Sequence, residues 1–232
     1  NGHVDAINSL AALGADVNTP DENGATPVSI AAHNGHVDVI RALVVLGADV
    51  NAPNKNGTTA VHMAAHNGHA NTIRTLCALG ADVNTPDNDG TTPVFIAAQH
   101  GHVDAIKALV ALGADVNTPA NDGATPVLVA AQQDHADVIK DLFKLGADMG
   151  VTVYEGDVLG FARAYDNSKA VACIEKILNK MHSECECCGC STKKLFRCGG
   201  CNKVRYCSIE CQKKDRKKHR SECKKTVIKN DS

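Results

Sequence analysis

The chain of 232 residues repeats itself with a 33-residue period, and that feature leaves few folds open. From residue 1 it reads NGHVDAINSLAALGADVNTPDENGATPVSIAAH. It returns at 34 as NGHVDVIRALVVLGADVNAPNKNGTTAVHMAAH, at 67 as NGHANTIRTLCALGADVNTPDNDGTTPVFIAAQ, and at 100 as HGHVDAIKALVALGADVNTPANDGATPVLVAAQ. A weaker copy starts at Gln133 as QDHADVIKDLFKLGADMG. In ATPVSIAAH, Thr26 suits a helix N-cap and Pro27 the first helical position, where a missing N–H costs nothing. Val28, Ala31 and Ala32 give a narrow apolar face, and Gly35 supplies the left-handed residue that ends the helix. Val37, Ile40, Leu43 and Val44 mark the stripe of a second helix, which Gly47 closes before Asp49-Val50-Asn51 leads to a turn at Asn56-Gly57. The unit is helix, turn, helix and a projecting hairpin-like finger. A lone unit cannot cover its own stripe, so neighbours must stack. With aromatics at 3% and no Trp, the core of that stack must be built from Ala, Val, Leu and Ile.

The GxTP, AAxxGH and GADVN elements at fixed offsets make this region resemble the ankyrin repeat. The resemblance covers residues 1–178 and implies a mainly α solenoid with full units at 21–53, 54–86, 87–119 and 120–152. Residues 1–20 then read as the tail of an earlier repeat, and Asn1-Gly2-His3 in place of Met fits a chain that lacks its true N-terminus. Residues 153–178 keep the two-helix rhythm, lose GADVN and add charge, as expected of a C-terminal cap. Two departures stand out. Asp134 replaces the inter-helix Gly, at a cost of up to about 1 kcal/mol if the left-handed conformation is kept. Thr59-Ala60 lacks the Pro of the other copies, a mild loss of preorganisation.

In ankyrin arrays, partners are bound by the finger tips and the exposed ends of the first helices. The resemblance therefore points to Glu22, Asn23 and His33 in one unit, then Lys55, Asn56 and His66, then Asn88, Asp89 and Gln99, then Asn121, Asp122 and Gln132. This surface is polar and mildly acidic, with no aromatic anchor. His3, His36, His69, His102 and His135 recur at one offset, as expected of a residue that ties the loop to its helix rather than of a metal ligand. Cys77, in register with Val44 and Val110, reads as a small core residue, and Cys173 similarly.

Composition breaks near residue 179. Residues 1–178 carry 9 Lys and Arg against 20 Asp and Glu, net −11, whereas residues 179–232 carry 15 against 6, net +9. Nine of the 11 cysteines lie between Cys185 and Cys223. Cys187-x2-Cys190, Cys198-x2-Cys201, Cys207-x3-Cys211 and His219-x3-Cys223 make eight ligands in four pairs. Zinc takes four N or S ligands in a tetrahedron, so this set fits two structural Zn2+ ions with no open catalytic position. The i, i+4 pairs fall on one face of a helical turn, and CxxC pairs fit turns. Cys185-x2-Cys188 is a competing pair, and a disulfide knot is the competing chemistry; Cys/His pairing argues for reduced thiolates.

With Tyr206-Cys207 and Cys211-Gln212 included, residues 187–223 resemble the MYND zinc finger. The family interleaves its ions, which implies Cys187, Cys190, Cys207 and Cys211 on one zinc and Cys198, Cys201, His219 and Cys223 on the other. Its x7 gap favours the 187/190 pair. The resemblance also implies peptide binding near Gln212, but Arg216 stands where many members carry a groove-forming Trp, which argues against the usual proline-rich ligand. Residues 179–186 are left as a linker and 224–232 as a basic polar tail.

These readings point to a non-enzymatic adaptor that binds as yet unidentified protein partners through both modules, in a reducing intracellular compartment, cytoplasmic or nuclear. MYND fingers also occur in SET-domain methyltransferases, so a fragment of a larger regulatory enzyme is the alternative, although no SET-like segment, P-loop, G-x-S-x-G or HExxH is present. The run from Lys213 to Arg220 raises weak nucleic-acid binding as a further alternative. Seven thiolates against two Zn2+ lower that region to about +6, and no aromatic set for base stacking accompanies it. No apolar run is long enough to span a membrane.

Overall fold

A computed structural model describes residues 3–153 and 156–182, together with two short strands at 196–197 and 205–206. The chain divides into two compact units, Asn1–Cys173 and Ile174–Ser232. In the first, α1 (Val4–Ala12) precedes four helical pairs. These are α2 (Pro27–His33) with α3 (Val37–Val45), α4 (Ala60–His66) with α5 (Ala70–Ala78), α6 (Pro93–Gln99) with α7 (Val103–Ala111), and α8 (Pro126–Gln132) with α9 (Ala136–Lys144). A two-residue hairpin follows, β1 (Thr152–Val153) antiparallel to β2 (Gly156–Asp157), then α10 (Val158–Ala164) and α11 (Ser168–His182). The unit boundary falls inside α11, which also runs past residue 178 into the segment expected as a linker.

Local chemistry sets the helix ends. Thr26 and Thr92 accept from the Ser29 and Phe95 backbone N–H groups ahead of a Pro at the first helical position. Gly35, Gly68 and Gly101 take φ of +72°, +71° and +80°. A Cβ on Gly68 would also meet the His102 ring at 2.7 Å, so the turn admits Gly there for two reasons.

First helices pack on first helices and second on second, as in α2 on α4 and α5 on α7. The core is a pair of columns, Ile40, Ile73, Ile106 and Ile139 beside Leu43, Leu76, Leu109 and Leu142, each at most 3% exposed. Burying each contributes about 1.5–3 kcal/mol. Pairs such as Ala31-Ala32 and Ala97-Ala98 let the first helices approach closely. The buried stripe of α3 is Val39, Ile40 and Leu43, so the expected Val37 and Val44 are only half-buried. The second helix lies between its own first helix and two neighbouring second helices, which turns its buried arc toward Val39.

The Asn of each GADVN element explains its own recurrence. Asn51 donates Nδ2–H to the Gly80 carbonyl at 3.0 Å, while its Oδ1 accepts the Asp82 N–H at 3.1 Å. Asn18, Asn84 and Asn117 make the same two bonds to the next repeat. The position needs a donor and an acceptor on separate atoms of one short side chain, which the Asn amide offers. Gly150 replaces Asn in the fifth copy, and the ladder stops there. Replacing Asn84 with Leu removes both bonds at once, and an expected loss of about 1–2 kcal/mol should appear as a lowered urea midpoint. A variant as stable as the parent would show that the ladder is decorative.

Three of the histidines at the common offset, His69, His102 and His135, tie consecutive repeats and not a loop to its own helix. His69 Nε2–H donates to the His33 carbonyl at 3.1 Å, His102 to His66 at 2.9 Å, and His135 to Gln99 at 3.0 Å. In the last pair other groups take over this task. Asn167 stands at the head of α11 and donates Nδ2–H to the Ala131 and Gln132 carbonyls at 2.8 and 2.7 Å. Asp134 keeps the left-handed conformation (φ +58°), and its carboxylate accepts the Ala170 N–H at 2.7 Å. That bond to the first turn of α11 offsets the conformational cost expected of a non-Gly residue.

Candidate functional site

The exposed edge of the stack is a row of finger tips. Each finger is closed by two backbone bonds, such as Asn54 N–H to the Thr58 carbonyl at 2.9 Å and Gly57 N–H to the Asn54 carbonyl at 3.0 Å, and in three of them by a side chain that accepts two backbone N–H groups. Asp21, Asn54 and Asp87 play that part in three fingers. In the fourth, Ala120 has no acceptor, and Asp122 takes the Ala124 N–H instead. Successive tips are joined through Lys55 N–H to Asn23, Asn88 N–H to Asn56 and Asn121 N–H to Asp89, all to carbonyls at 2.9–3.3 Å.

Glu22, Asn23, Lys55, Asn56, Asn88, Asp89, Asn121 and Asp122 are all exposed, as expected of tips. Their side chains are not equally available. Lys55 Nζ donates to the Glu22 carbonyl at 2.6 Å, Asn88 Nδ2 to Lys55 and Asn121 Nδ2 to Asn88, both at 3.0 Å. These three stitch the row together and face the neighbouring finger, leaving Glu22 and Asp89 to set an acidic character. At the helix ends, His33 and His66 are exposed, whereas Gln99 and Gln132 are half-buried.

On the second helices, Asp141 is held below the usual carboxylate range, first by the Lys144 ammonium at 2.6 Å and also by Lys107 at 3.2 Å. Lys107 reaches it from the preceding repeat. Cys77 is half-buried; burial first, then Asp82, raises its thiol pKa, so it stays protonated and inert. Cys173 is half-buried too, and its Sγ–H points to the Ala136 carbonyl at 3.3 Å.

Sequence reasoning passes over His62, and takes His100 only as one of the exposed positions where first helices end. His62 is 1% exposed and sits where other copies carry Ser29, Phe95 or Leu128. Its Nε2–H donates to the Thr91 carbonyl at 3.1 Å, so Nδ1 is the acceptor for the Thr59 N–H at 3.2 Å and hydroxyl at 2.9 Å. This is a capping box with His in place of Glu, and it supports the one described first helix of the four that lacks Pro. A Thr-x-x-His spacing before an apolar run is the signal that could have found it. His100 replaces the Asn that caps the helix at Asn34 and Asn67, and its ring lies against His66 with centroids 4.1 Å apart.

All eight expected metal ligands, Cys187, Cys190, Cys198, Cys201, Cys207, Cys211, His219 and Cys223, lie outside the described residues, as do Gln212 and Arg216. Two strands frame part of the set. β3 (Phe196–Arg197) pairs antiparallel with β4 (Arg205–Tyr206), Phe196 opposite Tyr206 and Arg197 opposite Arg205. Cys198 therefore follows one strand directly, and Cys207 the other. Among the described residues no group of three metal-ligating side chains comes together, and no helix is long and apolar enough to cross a membrane.

Comparison with known proteins agrees with both halves. The family model described as "Ankyrin repeats (3 copies)" matches residues 1–87 and 80–153, and that described as "MYND finger" matches 185–223. Similar proteins include N-lysine methyltransferase SMYD2 of Rattus norvegicus, 37% identical over 73 residues, which are 32% of this chain and 15% of that protein. The Homo sapiens protein of the same name is 37% identical over 51 residues, 22% of this chain and 12% of its own length. Tudor domain-containing protein 1 of Oryzias latipes is 51% identical over 35 residues, 15% of this chain and 3% of that protein. The chain thus spans no more than 15% of the length of these relatives. Zinc binding follows from the finger, and a protein-interaction architecture follows from the two modules, neither of which is catalytic. The chain belongs to the ankyrin-repeat family and carries a MYND zinc finger at residues 185–223.

Proposed function

We propose that this chain is a non-enzymatic adaptor whose ankyrin stack and two-zinc finger each engage a protein partner. The observation that bears most weight is the finger row. Its tips are stitched to one another through Lys55, Asn88 and Asn121, which gives a preorganised polar surface, and Glu22, Asp89 and Asp122 favour a basic partner segment. In the finger, seven thiols and one imidazole are a donor set suited to zinc, and in the sequence Cys198 and Cys207 directly follow the paired segments Phe196–Arg197 and Arg205–Tyr206. Cys187, Cys190, Cys207 and Cys211 would hold one ion, and Cys198, Cys201, His219 and Cys223 the other.

The domain limits that go with this reading are a repeat region over 1–178 and a finger over 187–223, in a reducing compartment of the cytoplasm or nucleus. The methyltransferase relatives favour a second reading, a piece of a larger enzyme, but the match covers only 15% of the rat protein and the sequence holds no SET-like segment. A pull-down comparing the intact chain with residues 1–178 separates the modules. The adaptor reading expects 1–178 to retain some partners and lose others. If 1–178 retains every partner or none, one module is idle and the two-ended adaptor is wrong.

A further inference from the structure

The exposed rim where first helices end holds a pair of imidazoles that the fold does not use. His33, His62, His69, His102 and His135 each spend a ring nitrogen on a hydrogen bond within the protein. His66 and His100 are exposed, their rings touch with centroids 4.1 Å apart, and neither ring hydrogen-bonds to another described residue. They come from consecutive repeats, His66 as the last residue of α4 and His100 as the C-cap of α6. Only this step of the stack combines the two: the equivalent of His100 is Asn34, Asn67 or Gln133 elsewhere.

We propose that His66 and His100 form a surface site for a divalent cation of the zinc, nickel and copper kind, clamped between two repeats. Neutral imidazole is a preferred ligand for these ions. Burial first, then the neighbouring His66, His102 and His135, holds His100 below the usual imidazole range and so in the ligating form at neutral pH. Both side chains stand at helix C-termini, whose partial negative charge favours a cation. Being exposed, the rings can turn one nitrogen each toward a common point without disturbing the core. No third metal-ligating side chain joins them among the described residues, so water fills the remaining positions and the site is open, unlike a closed structural zinc.

The test uses the intact, untagged chain with its finger loaded with zinc, titrated with Ni2+ by calorimetry while the zinc retained is measured in the same sample. His66→Gln and His100→Asn install residues that other repeats already carry at those positions, and circular dichroism checks the fold. Even an outer-shell partner is worth about 10–100-fold in metal affinity, so either change should weaken one Ni2+ site by at least about tenfold. The double variant should lose the site, and the Ni2+-induced rise in the melting temperature with it. An isotherm unchanged in either single variant overturns the two-ligand clamp, as does a wild-type chain that binds no more Ni2+ than the double variant.

Discussion

Stripped of metal by a strong chelator, the chain is expected to lose the structure of residues 185–225 while most of the helical circular dichroism of residues 1–178 survives. The contrast follows from what each half has to bury. The stack closes its core with columns of fully buried Ile and Leu repeated at every unit. The finger has Phe196 and Tyr206 as its only aromatics and too few apolar residues for a core of its own. A structural zinc contributes about 10–16 kcal/mol of apparent binding energy, more than a module of this size gains from packing. Elemental analysis should find two zinc ions per chain, and Cys198→Ser should release one of them and disorder the finger. One ion or none in the parent protein would contradict the eight-ligand set, and sulfur–sulfur crosslinks would replace it. Simultaneous loss of both signals would mean that the modules do not fold independently.

What the sequence makes legible is whatever each residue does within its own unit. Thr26, Pro27 and Gly35 act on the backbone next to them, so their spacing is enough to mark helix ends. The zinc pairs are legible for the same reason, since the two ligands of each pair lie three or four positions apart, within one turn. Contacts between units are hidden. His69 reads as a tie within its own loop because the carbonyl it bonds lies 36 residues away, a distance set by stacking and not by any local pattern. Lys55 reads as a partner-binding residue at a finger tip, yet its ammonium is committed to the preceding finger. Asp134 reads as a defect until the fold brings the Ala170 N–H to its carboxylate. His62 is lost among apolar residues because its neighbours at that offset are Phe95 and Leu128, and only the helix geometry turns its Nδ1 onto Thr59.

Acid should loosen the stack at α4 first, and His62 should be the cause. Its ring is buried and neutral, with Nδ1 occupied as an acceptor and Nε2–H donated to Thr91. Burial holds its pKa below the usual imidazole range, against the smaller opposing pull of the Thr91 carbonyl and of Asp87. A group depressed in this way contributes stability that is fully present above its unfolded pKa, near 6.5, and is lost as pH falls through the folded value. Between those two values the loss is about 1.4 kcal/mol per pH unit for one proton. Protonation puts a hydrogen on Nδ1 facing the Thr59 N–H, so the capping box breaks and the α4 terminus frays. His62→Leu copies the fourth unit, which carries Leu128 at this offset; it removes the titrating group and keeps an apolar side chain of similar reach. At neutral pH the variant forfeits three hydrogen bonds and leaves the buried Thr59 N–H without its acceptor. It should be less stable there by about 1–3 kcal/mol even with the added apolar surface, and the pH slope carries the test. The expected result is a urea midpoint that falls between pH 7 and pH 5 in the parent and falls markedly less in the variant. Equal pH slopes would assign the acid sensitivity to other groups, His100 first among them.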